Sequence, residues 1–403
     1  MNNPSQVRLV RVDVGGDLEA VPLNSKPGDR IWIEVSVRGR VVGVVEKSVE
    51  GVGLPISILE ELANEYLVAE ETTNQPITDL HLPKVSVVVP TTFQRTDQLV
   101  RTIESILQLD YPDFEIVIVD NRPSTNNVRT LKLSDPQRVR IVSEPRRGAA
   151  SARNRGIDVS TGDFIAFTDD DAIVDRNWLR ALAARFAIDD EVEAIGGMVR
   201  PTEIDTTPQL WFEEFYGGFT RSYLPKKWST EIVGDSDPLF PYSAGHFGAG
   251  CNMAVRRTTV QRLGGFDPRL GVGTYSMAGE DLKLFIKVVM AGGTVAFEPA
   301  ALVRHSHRNT SKEFMFQVFS YGIGLTAMYT SLVFDDHRQL KAILGRVPKG
   351  MRLLLFPLEK RSPSAVNSYP RRTHLFQLLG MACGPFAYAL SVISPRRSKQ
   401  TVV

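Results

Sequence analysis

Three adjacent carboxylates, Asp169-Asp170-Asp171, follow a short apolar run, Phe164–Phe167, after the single residue Thr168. Like charges this close repel, and each disfavours ionisation of its neighbours. A divalent ion bridging a diphosphate would relieve them, because Mg2+ and Mn2+ favour carboxylate and phosphate oxygens. A solvated acidic turn ahead of a helix would hold them too, since Asp suits the positive end of a helix dipole. Arg146-Arg147-Gly148 opens a helical stretch that carries Arg153, Asn154 and Arg155. A helix N-terminus attracts phosphate and glycine lets the backbone approach closely, although an exposed basic helix has the same composition. Gly279-Glu280-Asp281 precedes another helix. A carboxylate on a site wall can take the proton of an attacking hydroxyl, and Asp is equally a favoured N-cap. His305-Ser306-His307 follows the apolar run Thr294–Val303. Imidazoles at i and i+2 of a continuing strand share a face and ligate borderline metals, and such a pair also suits a surface.

The elements that must position these groups begin at Lys84. Val85–Val89 is a continuous apolar, β-branched run, as in a strand buried on both faces. Helical spacing follows over Gln98–Leu109, then strand runs at Glu115–Val119 (ending in Asp120) and Arg138–Val142, a helix at Ala149–Asp158 and the strand Phe164–Phe167. Asn177–Phe186, Ala254–Leu263 and Leu282–Ala291 read as helices, and Trp211–Ser243 is aromatic-rich and irregular. Strands alternating with helices imply a largely parallel sheet covered on both sides. Ligands of such sheets bind at the carboxyl ends of strands, so Asp120 and the triple aspartate are expected to converge on one crevice. Ahead of this pattern, Val7–Val12, Arg30–Val37 and Val41–Val45 read as short strands and Leu54–Leu67 as a helix. The expected division is a β-rich accessory domain over 1–70, a polar linker over 71–83, a catalytic domain over 84–335 and a helical extension over 336–403.

Bulk composition narrows the function. With 47 basic and 46 acidic residues the net charge is +1, which gives no support for nucleic-acid binding. Two cysteines, Cys251 and Cys383, cannot build a disulfide framework or a zinc cluster and fit a reducing compartment. Met1–Gly16 has no apolar core of a signal peptide, so a cytoplasmic location is expected. Leu375–Ile393 is the most apolar long stretch, flanked by Arg371 and Arg372 on one side and by Arg396, Arg397 and Lys399 on the other. Its length is near the roughly 17–20 residues that span a bilayer, but Gly380, Gly384 and Pro385 interrupt it. Residues 371–399 thus suit an interfacial helix on the cytoplasmic face of a membrane, or a buried or partner-binding helix.

Taken together, Val85-Ser86-Val87-Val88-Val89-Pro90-Thr91, Ile116–Asp120, Gly148 with Ala152-Arg153-Asn154 and Gly156, and Phe167–Asp171 resemble the family 2 glycosyltransferases in order and spacing. The resemblance continues through Gly250-Cys251-Asn252-Met253-Ala254, Gly264–Asp267, Gly279–Asp281 and His305. It implies a GT-A fold: an α/β, Rossmann-like mixed sheet flanked by helices, here with a small N-terminal β-rich domain and a helical C-terminal extension. It further implies a metal-dependent, inverting transfer of a sugar from a nucleotide-diphosphate sugar donor to a hydroxyl of a glycan or lipid-linked acceptor, with Mn2+ or Mg2+ as cofactor. Pro90, Thr91, Asp120, Gly148, Arg153, Asp169 and Asp170 are then expected on the donor nucleotide. Asp169 and Asp171 match the family's metal motif, with Asp171 the expected direct ligand, Asp169 nearer the ribose and His305 as a further ligand. Gly250, Cys251 and Asn252 are expected on the acceptor side. Asp281, with Glu280 beside it, is the expected catalytic base. Many relatives carry a further acidic residue just after this pair, where this chain has Leu282-Lys283-Leu284, which leaves open which carboxylate serves. The competing readings are a sugar-phosphate nucleotidyltransferase, whose usual Gly-rich, Lys-containing start is absent, and an inactive relative that binds or scaffolds.

Overall fold

The structure, a computed structural model, describes residues 7–16, 18–19, 21–22, 30–48, 53–71, 82–122, 131–220, 222–232, 237–355, 370 and 372–393. Most of the expected linker (72–81), and Arg371, Arg396, Arg397 and Lys399, lie outside the described residues.

Strand β1 (Val7–Asp13) pairs parallel with β3 (Arg30–Val37), which pairs antiparallel with β4 (Arg40–Ser48); a two-residue pairing joins β2 (Val21–Pro22) to β5 (Gly53–Leu54). Alternation along β3 sends Ile31, Ile33 and Val35 into a small core with Val10, Val12 and, from α1 (Ile56–Glu71), Leu59 and Leu62.

The large sheet starts with β6 (Val85–Thr91) and continues, after α2 (Thr96–Leu107), with β7 (Phe114–Asp120) and β8 (Val139–Ser143). Helix α3 (Ala149–Val159) leads to β9 (Phe164–Phe167) and β10 (Ala172–Val174), and α4 (Trp178–Ile188) to β11 (Val192–Pro201). After α5 (Thr207–Trp211) and β12 (Lys226–Trp228) come β13 (Met253–Arg256), α6 (Arg257–Arg262), α7 (Glu280–Met290) and β14 (Thr294–His305). Three helices follow: α8 (Ser311–Asp335), α9 (Gln339–Leu355) and α10 (Thr373–Ile393). Strand order is β10-β14-β11-β13-β9-β6-β7-β8, with β12 pairing β14. From β9 to β8 neighbours run parallel; β13 is antiparallel to both its neighbours, and β10 and β12 to β14. The sheet is therefore mixed, and the expected parallel pattern holds for one half.

Alternation explains why β6 and β7 are apolar throughout. Val85, Val87, Val89, Ile116 and Ile118 face a core with α2 and α4, whereas Val88, Val117 and Val119 face a second core under α3 and α7. Helix α3 lies so close that a Cβ on Gly156 would stand 2.3 Å from Val88 Cγ1. The expected helix over Ala254–Leu263 is corrected: Met253–Arg256 is strand β13, held between β9 and β11, and only Arg257–Arg262 is helical. Sheet pairing on both sides overrides the helical preference of Met and Ala.

A buried charge network fastens the accessory sheet. Glu34 of β3 accepts Arg200 of β11 at 2.9 Å and pairs with Arg304 of β14 at 2.7 Å; Arg200 also meets Glu213 at 3.4 Å, and Glu213 meets His307 at 2.8 Å. At the other end α10 lies on α8 through glycines: a Cβ on Gly380 would come 2.2 Å from the Phe319 carbonyl, and one on Gly322 2.3 Å from that of Gln377. The glycines that break the apolar stretch in sequence are thus its contact face. Leu375, Phe376, Leu379, Phe386, Leu390 and Ile393 point outward from α10.

Candidate active site

Thr91, Asp120 and the triple aspartate stand side by side at the carboxyl ends of β6, β7 and β9, as the strand pattern required. The three aspartates do different work. Asp170 is buried, accepting Thr91 Oγ1 at 2.7 Å and an Arg95 guanidinium nitrogen at 3.1 Å. Burial pushes its carboxyl up, against the pull of Arg95. Asp171 pairs with Arg95 through one oxygen and with His305 Nε2 at 3.2 Å through the other. Burial raises it, but His305 and then Arg95 outweigh burial and hold it well below the usual carboxylate range. Asp169 is the open one, its side chain 34% exposed, and it accepts from Arg153 at 3.0 Å.

Arg153 organises the opposite wall. Projecting from α3, buried, it donates to Asp169, to Glu280 at 2.6 Å and to the Gly250 carbonyl at 3.5 Å. Gly250 in turn donates its N–H to Asp281 Oδ2 at 2.7 Å. Asp281 and Glu280 occupy the first turn of α7, where the helix dipole favours carboxylates. The helix starts on Gly279 at φ 96°, where a Cβ would meet the Gly324 carbonyl of α8 at 2.7 Å, so α8 sets the height of this turn. Asp281 stays part-exposed beside the Gly250 amide.

A carboxylate oxygen of Asp169, the Cys251 thiol and a ring nitrogen of His305 lie within 4.8 Å of one another. Burial disfavours a charged His305, yet the Asp171 and Asp169 carboxylates raise its pKa, and its Nδ1 is buried without a hydrogen-bond partner. An orphaned imidazole nitrogen beside a carboxylate surplus fits a bound cation, and oxygen and imidazole donors suit Mn2+ or Mg2+.

Several expected site residues have other employment. Asn252 is fully buried, its Oδ1 accepting Trp178 Nε1 at 2.8 Å and its Nδ2 donating to the carbonyls of Met198 and Ala301. It has no face left for an acceptor and instead ties β13 into the sheet. Glu280 is closed off by Arg153 and by Gly271, where a Cβ would meet its carboxyl at 2.7 Å. Burial first, then Asp281, pushes Glu280 up to about 6 against the pull of Arg153, so it positions Arg153 and does not face the cleft. At Gly148 the N–H goes to Asn121 Oδ1 and the next N–H, of Ala149, to the Val272 carbonyl. Two amides that a phosphate would need are therefore already bonded. Asp120 is paired with Arg122, which lies over the Phe93 ring, and Pro90 sits half-buried at the end of β6. Cys251 lies in the cluster with Asp169 and His305. Sequence reasoning missed Arg95 and Asn121; Asn121 directly follows the strand end at Asp120 and Arg95 lies four residues beyond the one at Thr91, and that proximity is the signal that marks them.

Residues 86–264 match the family model "Glycosyl transferase family 2". The glucosyl-dolichyl phosphate glucuronosyltransferase of Haloferax volcanii is 27% identical over 243 residues, which cover 59% of this chain and 73% of that one. Succinoglycan biosynthesis protein ExoM of Rhizobium meliloti is 31% identical over 52% of this chain and 63% of its own length. A solved mannosyltransferase from Pyrobaculum calidifontis, in complex with GDP-Man and Mn2+, aligns with TM-score 0.47 at 19% identity, covering 83% of this chain and 95% of that one. Residues 86–264 of this chain are a glycosyltransferase domain of family 2.

Proposed function

We propose that this chain moves a sugar from a nucleotide-diphosphate sugar to a hydroxyl of a glycan or lipid-linked acceptor, with inversion at the anomeric carbon. One observation carries the reading. Hydrogen bonds through Arg153 and Gly250 link the part-exposed Asp281 to Asp169, which lies with Cys251 and His305 in one cluster of donor atoms. Asp169, Asp171 and His305 would hold a divalent cation, which when bound offsets negative charge on a diphosphate leaving group. Arg153, already donating to Asp169, places a fixed positive charge beside the same diphosphate. Asp281 takes the proton of the attacking hydroxyl. Its Oδ2 is oriented by the Gly250 amide, and its partner Glu280 is enclosed. A single half-exposed carboxylate on this wall supports one displacement, hence inversion, over a double displacement. The test is nucleoside diphosphate release from a panel of nucleotide sugars, with and without Mn2+. Release of pyrophosphate would point to nucleotidyl transfer, and no metal-dependent nucleotide binding to an inactive scaffold.

A lipid-linked acceptor is supported by the name of the Haloferax volcanii relative, a dolichyl phosphate enzyme, and by the outward apolar face of α10, the one described helix long and apolar enough to cross a membrane. We place this helix peripherally on the cytoplasmic face. Vesicle sedimentation of the chain against one lacking residues 371–403 tests it: equal sedimentation would refute the contact.

A further inference from the structure

Cys251 sits where an acceptor contact was expected and lies in one cluster with Asp169 and His305. The backbone that carries it is held on both sides. Gly250 is bonded to Asp281 and Arg153, and Asn252 makes three hydrogen bonds into the sheet. The thiol is buried and free; that of Cys383, also free, is exposed on α10. Buried cysteine often packs as a small hydrophobe. Two observations favour a ligand. Sγ lies within 4.8 Å of ligand atoms on both Asp169 and His305. Independently, His305 is nine-tenths buried with Nδ1 unpartnered, a cost that packing alone leaves unmet.

Resting on the cation-holding reading of this cleft, we propose that Cys251 Sγ is a protein ligand of the divalent cation, so that the site prefers thiophilic cations such as Zn2+ and Cd2+ over Mn2+, and Mn2+ over Mg2+. The chemistry follows from donor softness. Mg2+ demands oxygen ligands and keeps its waters, whereas thiolate and imidazole suit Zn2+, which also stands above Mn2+ in the general affinity order. One S–H bond breaks, its proton leaves to solvent and one sulfur–metal bond forms, with no change of oxidation state. Cys251 would join Asp169, Asp171 and His305 as a further protein ligand, leaving the remaining positions to diphosphate oxygens.

Cadmium titration of the full chain tests this, read by the ultraviolet sulfur-to-cadmium charge-transfer band, with Mn2+ binding followed separately by electron paramagnetic resonance. Wild type and Cys383→Ser are expected to develop the band, saturating at one Cd2+ per chain, and Cys251→Ser to show none while keeping the wild-type circular dichroism. Zn2+ affinity, from competition, is expected to fall in Cys251→Ser by at least the roughly 10–100-fold that even outer-shell changes cost, with Mg2+ affinity unchanged. A band that persists in Cys251→Ser, or none in wild type, overturns the proposal. If Mn2+ still binds wild type and not Asp169→Asn in that case, the cation-holding reading survives without the thiol; if neither metal binds, both fall.

Discussion

Two clusters of charge flank the first turns of α7, and they are built on opposite principles. On the α8 side, Lys283 reaches Asp267 at 2.7 Å and Asp335 at 2.7 Å, Arg269 pairs with Asp267 at 2.7 Å, and the Ser331 hydroxyl completes the group. Two cations meet two carboxylates there. Burial raises Asp267, but Arg269 and Lys283 outweigh it and hold the carboxyl well below its ordinary range. On the cleft side Asp169, Asp170, Asp171, Glu280 and Asp281, five carboxylates, face Arg95, Arg153, His305 and, at longer range, Arg308. Acid is in excess, and two members, Asp170 and Glu280, are pushed toward their neutral forms. Balanced buried charge holds helices together, whereas unbalanced charge is retained at a cost to stability that only a ligand offsets.

The contrast can be broken by mutation. Removing a partner from the balanced cluster strands buried charge, so Asp267→Ala is expected to lose about 3–5 kcal/mol in denaturant unfolding. Asp169→Asn, by relieving repulsion, is expected to match or slightly exceed wild-type stability. If the two variants lost the same amount, the clusters would not differ in kind. On activity, Asp281→Asn is expected to cut transfer about a thousandfold, within the range for loss of a general base, with nucleotide-sugar affinity retained in calorimetry. Turnover near the wild-type value would remove Asp281 from its assigned role. Mn2+ at a hundred times its dissociation constant should stabilise wild type by about 2.7 kcal/mol and leave a doubly substituted Asp169→Asn, His305→Ala chain unmoved in thermal melts.

pH sharpens the same comparison with the smallest effect. Burial pushes the Glu280 carboxyl up from its ordinary 4.5 to about 6, so the native state keeps a proton that the unfolded chain has lost and stability falls as pH rises through that interval. Asp267 is depressed below its ordinary 3.8; its contribution is present above that value and is lost as pH falls below it. Glu280→Gln should flatten the first slope and leave the second, as read from unfolding free energies across pH.

The residues themselves show where sequence reasoning ends. The strands of the parallel half and the carboxylates at their ends were readable because apolar runs, alternation and the residue that follows a run are local properties. Ala254–Arg256 reads as the start of a helix for the same reason: local spacing continues into Arg257–Arg262, and only the seat between β9 and β11 makes these residues a strand. The division of labour among neighbouring acids could not be read either. Glu280 is enclosed by a guanidinium 127 positions away, and Asn252 is consumed by an indole 74 positions away. Local pattern determined which side chains stand at strand and helix ends; long-range packing decided which of them keep a face toward the cleft, because a carboxylate, amide or thiol is free for chemistry only when no distant partner has already satisfied it.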